Sequence, residues 1–170
     1  MRNIDGGDVA KGALAGLVGG LAGAFVMTQF QALLTAIAEE TSKSKKKSGE
    51  AEEPATVKVA QEISETVFDH KLLKKEKELA GEALHYTMGA SSGLIYGVVT
   101  EMEPLAAVGA GMPFGAAVWL VADDIVVPAL GFSKPVTDFP LSTHAYALSS
   151  HLVYGFTTEI VRRSIRGMLT

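Results

Sequence analysis

The stretch GALAGLVGGLAGAFVMTQFQALLTAIA, Gly12 to Ala38, decides the fold class, because it runs 27 residues without one charged side chain. A helix crossing a hydrocarbon core of ~30 Å needs about 20 mostly apolar residues. Three further stretches have comparable length and character: Ala83 to Thr100, Leu105 to Pro128 and Ser142 to Val161. Each is 18 residues or longer and mostly apolar. The sequence therefore predicts an all-α protein built as a four-transmembrane-helix bundle, with spans at about 12–38, 83–100, 105–128 and 142–161.

The charges lie where such a bundle would leave them. Between Glu39 and Glu82 stand nine lysines and eleven acids, so 20 of the 34 charged side chains fall in a quarter of the 170 residues. The formal net charge is −4, and outside the lysine run no basic face large enough for nucleic acid exists, so no nucleic-acid partner is expected. The absence of cysteine excludes disulfides, thiolate catalysis and cysteine-ligated metals. Ala36, Ile37 and Ala38 resemble a small-x-small cleavage site, but the apolar stretch before them exceeds the ~7–15 residues of a signal-peptide core. Asp5 and Asp8 also make the leading residues acidic, so the first segment reads as a retained span.

Glycines recur every four residues inside these segments. Gly12, Gly16 and Gly20 share one helix face, and Gly19 with Gly23 repeats the spacing. Gly89, Gly93 and Gly97 do the same in the second segment, and Gly111 with Gly115 in the third. Small residues at this spacing let backbones approach closely, which matters where lipid supplies no hydrophobic drive for association. Two readings follow. The glycines pack the helices of one chain, or the first face serves a homo-oligomer.

The polar stretch at about 41–56 reads as a flexible linker. At about 57–80, Val57, Val59, Ala60, Ile63, Val67 and Phe68 take neighbouring helical faces, with Glu62, Glu65, Asp69 and Lys71 opposite. That pattern predicts an amphipathic helix at the membrane surface or capping the bundle, with binding of a partner as the alternative. The short link Glu101 to Pro104 makes the second and third spans an antiparallel hairpin. Pro113 predicts a kink in the third span, and Ser142 or Thr143 a cap for the fourth. Arg162, Arg163 and Arg166 close the fourth span, where they suit lipid headgroups and the helix dipole.

Ionisable residues inside a span are candidates for function, since placing one there costs at least ~2–3 kcal/mol. They are His85 in the second segment, Asp123 and Asp124 in the third, and His144, His151 and Glu159 in the fourth. Alternating span direction puts His85, Asp123, Asp124 and His144 in one layer, His151 near the middle, and Glu101 with Glu159 toward the opposite side near Arg162 and Arg163. Three readings stay open. The groups bond one another and fix the packing, with Glu159 paired to Arg163; they form a proton or ion path through His151; or His85, His144 and an aspartate hold a divalent metal. No HxxxH or HxxE spacing supports the metal, so no metal or other cofactor is expected. Nucleophile-elbow, P-loop and dinucleotide motifs are also absent, which favours a non-enzymatic role.

The run Pro128-Ala-Leu-Gly131-Phe-Ser-Lys-Pro135-Val136-Thr-Asp138-Phe-Pro140 is similar to the YagU-like inner-membrane proteins, a family of unknown biochemical function. So are His151-Leu152-Val153 with Glu159, Ile160, Arg162 and Arg163, and His85, Tyr96 and Glu101. The likeness covers about residues 80–166; the lysine-rich linker and Asp123 depart from the family pattern. It implies a multi-pass protein of the inner membrane and supplies no reaction. Orientation is left in conflict: counting lysines and arginines puts the long first loop in the cytoplasm, whereas the resemblance favours cytoplasmic arginines after the fourth segment. The sequence reading is thus a small multi-pass membrane protein acting by packing in the bilayer with itself or another membrane protein. Proton or ion handling through the intramembrane histidines and carboxylates is the alternative.

Overall fold

A computed structural model describes residues 5–41 and 53–169, and among these the chain is helical with no strand. The stretch expected as a linker lies largely outside the described residues. Helix α1 spans Gly6–Thr41. It starts where the Asp5 carboxylate accepts the Asp8 backbone N–H at 2.9 Å, satisfying one of the donors a helix start leaves free.

Helix α2 covers Ala55–Phe68 and α3 covers Lys74–Met102. The single amphipathic helix expected over about 57–80 is therefore two pieces, the second continuous with the helix that holds the second apolar segment. The break is local chemistry. Asp69 takes a left-handed conformation (φ 47°), which Asp tolerates better than most residues. Ser64 then closes the turn, its carbonyl accepting the His70 N–H at 3.2 Å and its hydroxyl donating to the His70 carbonyl at 2.8 Å. A new helix begins where the Glu76 carboxylate accepts the Leu73 N–H at 2.7 Å. That bond, with His70 beside it, holds the Glu76 carboxyl below its ordinary range.

The third apolar segment is not one α-helix. A 3₁₀ stretch, Pro104–Gly111, breaks at Val108 to Ala110, followed by α4 (Met112–Val118), a π-helical stretch (Trp119–Val126) and α5 (Val127–Ala129). Gly109 and Gly111 supply positive φ values of 71° and 79°, and Ala110 is carried with them at 52°. The kink expected at Pro113 thus falls before it. Pro113 sits in the first turn of α4, where its missing N–H breaks no helical bond. After a 3₁₀ turn at Val136–Asp138, α6 spans Leu141–Met168. Pro140 precedes α6 and no side chain caps it, so the expected cap by Ser142 or Thr143 does not form; both already lie in the first turn.

Helix α1 packs along both α3 and α6, and α4 packs along α6. Glycines stand at each of these contacts. A Cβ added at Gly16 would lie 2.2 Å from the Gly93 carbonyl oxygen, one at Gly20 would lie 2.2 Å from that of Gly89, and one at Gly97 would lie 2.1 Å from that of Gly12. The other face of α1 meets α6, with Gly19 against Thr158 and Gly23 against Thr158 and Tyr154. Gly115 lies against the His151 carbonyl and Gly111 against that of Gly155. In each pair rising numbers on one helix meet falling numbers on the other, so successive long segments run antiparallel.

Candidate functional site

At one end of this frame a cavity of about 910 Å³ opens between α1, the start of α2, α3, the π-helical stretch and α6. Five of the ionisable residues singled out in the sequence line it: His85, Asp123, Asp124, His144 and His151. Asp123 and Asp124 stand in the π-helical stretch, a geometry that recurs at functional sites because it widens the helix and redirects side chains.

Each histidine nitrogen with an assigned neighbour has a definable role. His151 is buried, and its Nδ1 lies 2.9 Å from the Ala147 carbonyl, which can only accept, so Nδ1 carries a hydrogen. Its Nε2 faces an Asp123 carboxylate oxygen at 3.8 Å. His85 Nε2 lies 3.3 Å from the Ala24 carbonyl and 3.3 Å from Thr28 Oγ1, tying α3 to α1. The Thr28 hydroxyl itself donates to Ala24. His144 Nε2 donates to the Val136 carbonyl at 3.1 Å, and its ring meets the edges of Trp119 and Phe139.

Below the cavity three aromatic rings from three helices form a layer. Tyr96 stacks on Phe114 at 4.1 Å between centroids, and Phe114 tilts against Tyr154 at 5.7 Å. The Tyr154 hydroxyl donates to the Gly89 carbonyl at 2.7 Å.

Beyond that layer lies an ion cluster. Glu159 is fully buried and accepts two bonds from Arg162, at 2.7 and 2.9 Å, as well as one from Arg163 Nε. Arg163 also donates to the Ala107 carbonyl at 3.2 Å. Arg166 bridges α3 and α1, donating to Glu101 at 2.7 and 3.2 Å and to Asp8 at 2.7 Å. The Glu101 carboxylate, and Asp8 after it, raise the Arg166 guanidinium above its already high ordinary value. Three acids and three arginines balance here. The sequence reading paired Glu159 with Arg163 alone; the fork of Arg162 and the Arg166 bridge were not foreseen. The Asp8–Arg166 contact spans 158 positions and leaves no local signal.

Among the described residues no group of three or more histidine, cysteine, aspartate or glutamate side chains is placed to hold a metal. The packing glycines Gly12, Gly16, Gly20, Gly89, Gly93 and Gly97 all lie in contacts within the chain.

The described residues form an all-helical protein with titratable groups turned into a cavity, and two of its segments (Gly6–Glu40 and Pro104–Ala129) are long and apolar enough to cross a membrane. The chain belongs to the family described as "Protein of unknown function (DUF1440)", which matches residues 32–160. It is 32% identical over 75 residues to the inner membrane protein YagU of Escherichia coli (strain K12), a match covering 44% of this chain and 37% of that protein. The chain thus spans little more than a third of the length of that curated relative. No solved structure matches.

Proposed function

We propose that this chain is a four-span, non-enzymatic protein of the inner membrane, a packed helical frame around a largely apolar cavity that carries titratable groups and opens toward one face. The observation that carries this reading is the inverted distribution of polarity. Ser150, His151, Thr158, Glu159 and Arg162 are buried, while Leu14, Phe25, Ile95, Val121, Phe156 and Ile160 are exposed. In water that arrangement would be costly; in lipid it is what a bundle requires. Helices α3 and α6, of 29 and 28 residues, extend about 42 Å at 1.5 Å per residue. Both are long enough to cross with α1 and the third segment once their polar faces are covered.

The non-enzymatic reading rests on how the histidines are engaged. Both nitrogens of His151 are engaged, by the Ala147 carbonyl and Asp123, and His144 Nε2 donates to the Val136 carbonyl, so none of these three nitrogens is left to activate a hydroxyl. The Thr28 hydroxyl beside His85 already donates to the backbone.

Proton transfer through the bundle is the second reading, favoured by the His151–Asp123 pair. Against it stands the gap from His151 to Glu159, eight residues or about 12 Å along α6. Within that gap the hydroxyls of Tyr154 and Thr158 both donate to backbone carbonyls. Proton flux into proteoliposomes under an imposed pH gradient decides between the two. The cavity reading expects no flux above empty vesicles. Flux abolished by His151→Gln would replace it with a conduction path. Ser92→Cys, on the cavity wall, should react with a small impermeant maleimide from one face only.

A further inference from the structure

We infer that the cavity is a site for a lipophilic organic cation, a quaternary or protonated ammonium or a phosphonium on a largely apolar body. This rests on the cavity reading above and adds the chemistry of the occupant. Four carboxylates line the cavity, Glu78, Glu82, Asp123 and Asp124, and among the described lining residues there is no lysine or arginine.

Asp123 has His151 at 3.8 Å, but Glu78, Glu82 and Asp124 have no ion-pair partner within 4.0 Å among the described residues. Each histidine on the wall has one nitrogen engaged with a backbone carbonyl, so only the remaining nitrogen is free to balance this charge. A carboxylate facing a cavity between helices gains most from a mobile cation with no groups that demand water. An anion would meet four carboxylates and neither a lysine nor an arginine among the described lining residues.

The rest of the wall fits the body of such a molecule. Met27 and Met88 contribute flexible thioethers, Val118 an aliphatic side chain, and Trp119, Phe139 and Tyr154 aromatic rings, and a cation over an indole or phenol ring is attracted by the ring quadrupole. The volume of about 910 Å³ falls in the ~300–1,000 Å³ range of drug-sized ligand sites and exceeds what a hydrated metal ion would fill.

The chain supplies its own reporter, because Trp119 is its single tryptophan and lies in the wall. The experiment titrates tetraphenylphosphonium into the full-length protein in a non-ionic detergent while following Trp119 fluorescence. The anion tetraphenylborate and the neutral triphenylphosphine oxide serve as comparators. The expected result is a saturable change with the cation alone, its apparent Kd weakened at least tenfold by Asp124→Asn in a protein of unchanged helix content. A similar response to the three compounds would overturn the inference and mark the cavity as an apolar groove. So would an unaltered Kd in Asp124→Asn together with Asp123→Asn. Should the cation give no response, labelling of Ser92→Cys separates the causes. A labelled cysteine shows the cavity present and the cation chemistry wrong, whereas an unreactive one overturns the cavity reading with it.

Discussion

Replacing Gly16 by alanine should drive α1 and α3 apart. The new Cβ would stand 2.2 Å from the Gly93 carbonyl oxygen, 2.7 Å from Gly97 Cα and 2.9 Å from Gly97 N, all backbone atoms that cannot rotate away. An ordinary contact begins at 3.4 Å, so the helices must separate locally by roughly 1.2 Å. Separation on that scale sacrifices dispersion contacts along the whole glycine seam, because a gap of 0.5–1 Å already forfeits about a quarter to a half of each contact. Overpacking of this kind costs about 1–3 kcal/mol. Gly167→Ala is the matched control: it adds the same methyl to α6 where nothing lies within 4 Å. Thermal unfolding of the purified protein in detergent, read by circular dichroism, compares the two. The expected result is a midpoint lowered by several degrees for Gly16→Ala, with Gly167→Ala at or slightly above the parent. Equal midpoints for the two variants would refute the close approach of α1 to α3.

The ion cluster and the loop before α3 give further expectations. Glu159→Gln leaves the buried Arg162 guanidinium without its carboxylate and should lower stability by about 3–5 kcal/mol, measured by chemical unfolding in detergent. Arg163→Gln, at a side chain 56% exposed, should cost no more than about 1 kcal/mol in the same assay. A larger loss for Arg163→Gln than for Glu159→Gln would contradict the assignment of the buried pair. Glu76 has a depressed carboxyl pKa, so its hold on the Leu73 N–H is complete above the ordinary carboxylate range and is lost as pH falls through the depressed value. Amide exchange at Leu73, corrected for intrinsic rates, should therefore quicken on acidification, and Glu76→Gln should remove most of that pH dependence. Protection unchanged down to the lowest pH at which the protein stays folded would dismiss the bond.

The all-helical character was legible because it rests on run length and composition, quantities that neighbours in space do not alter. The glycine spacing was equally legible as a face, yet not as a partner: only the three-dimensional register sets Gly16 against Gly93 and Gly19 against Thr158. Other features lacked a signature in the string. The turn at Asp69 depends on a single left-handed residue held by Ser64. The π-helical stretch at Trp119–Val126 shifts hydrogen bonds without changing the apolar pattern, so Asp123 and Asp124 read as part of an ordinary helix. Pro113 misled because proline is read as a kink wherever it interrupts an apolar run, while here it begins a helix. Arg166 reads in the sequence as a headgroup ligand, because its partners Glu101 and Asp8 lie 65 and 158 positions away.

The central claim, four antiparallel spans with the cavity mouth and the ion cluster on opposite faces, is tested most directly by topology. The chain has no cysteine, so single cysteines at Gly6, Glu62, Glu103, Thr137 and Met168 can be labelled in intact cells by an impermeant maleimide without background. The account predicts that the cysteines at 6, 103 and 168 share one reactivity and those at 62 and 137 the opposite one. Positions 103 and 137 on the same side, or 6 and 168 on different sides, would contradict it.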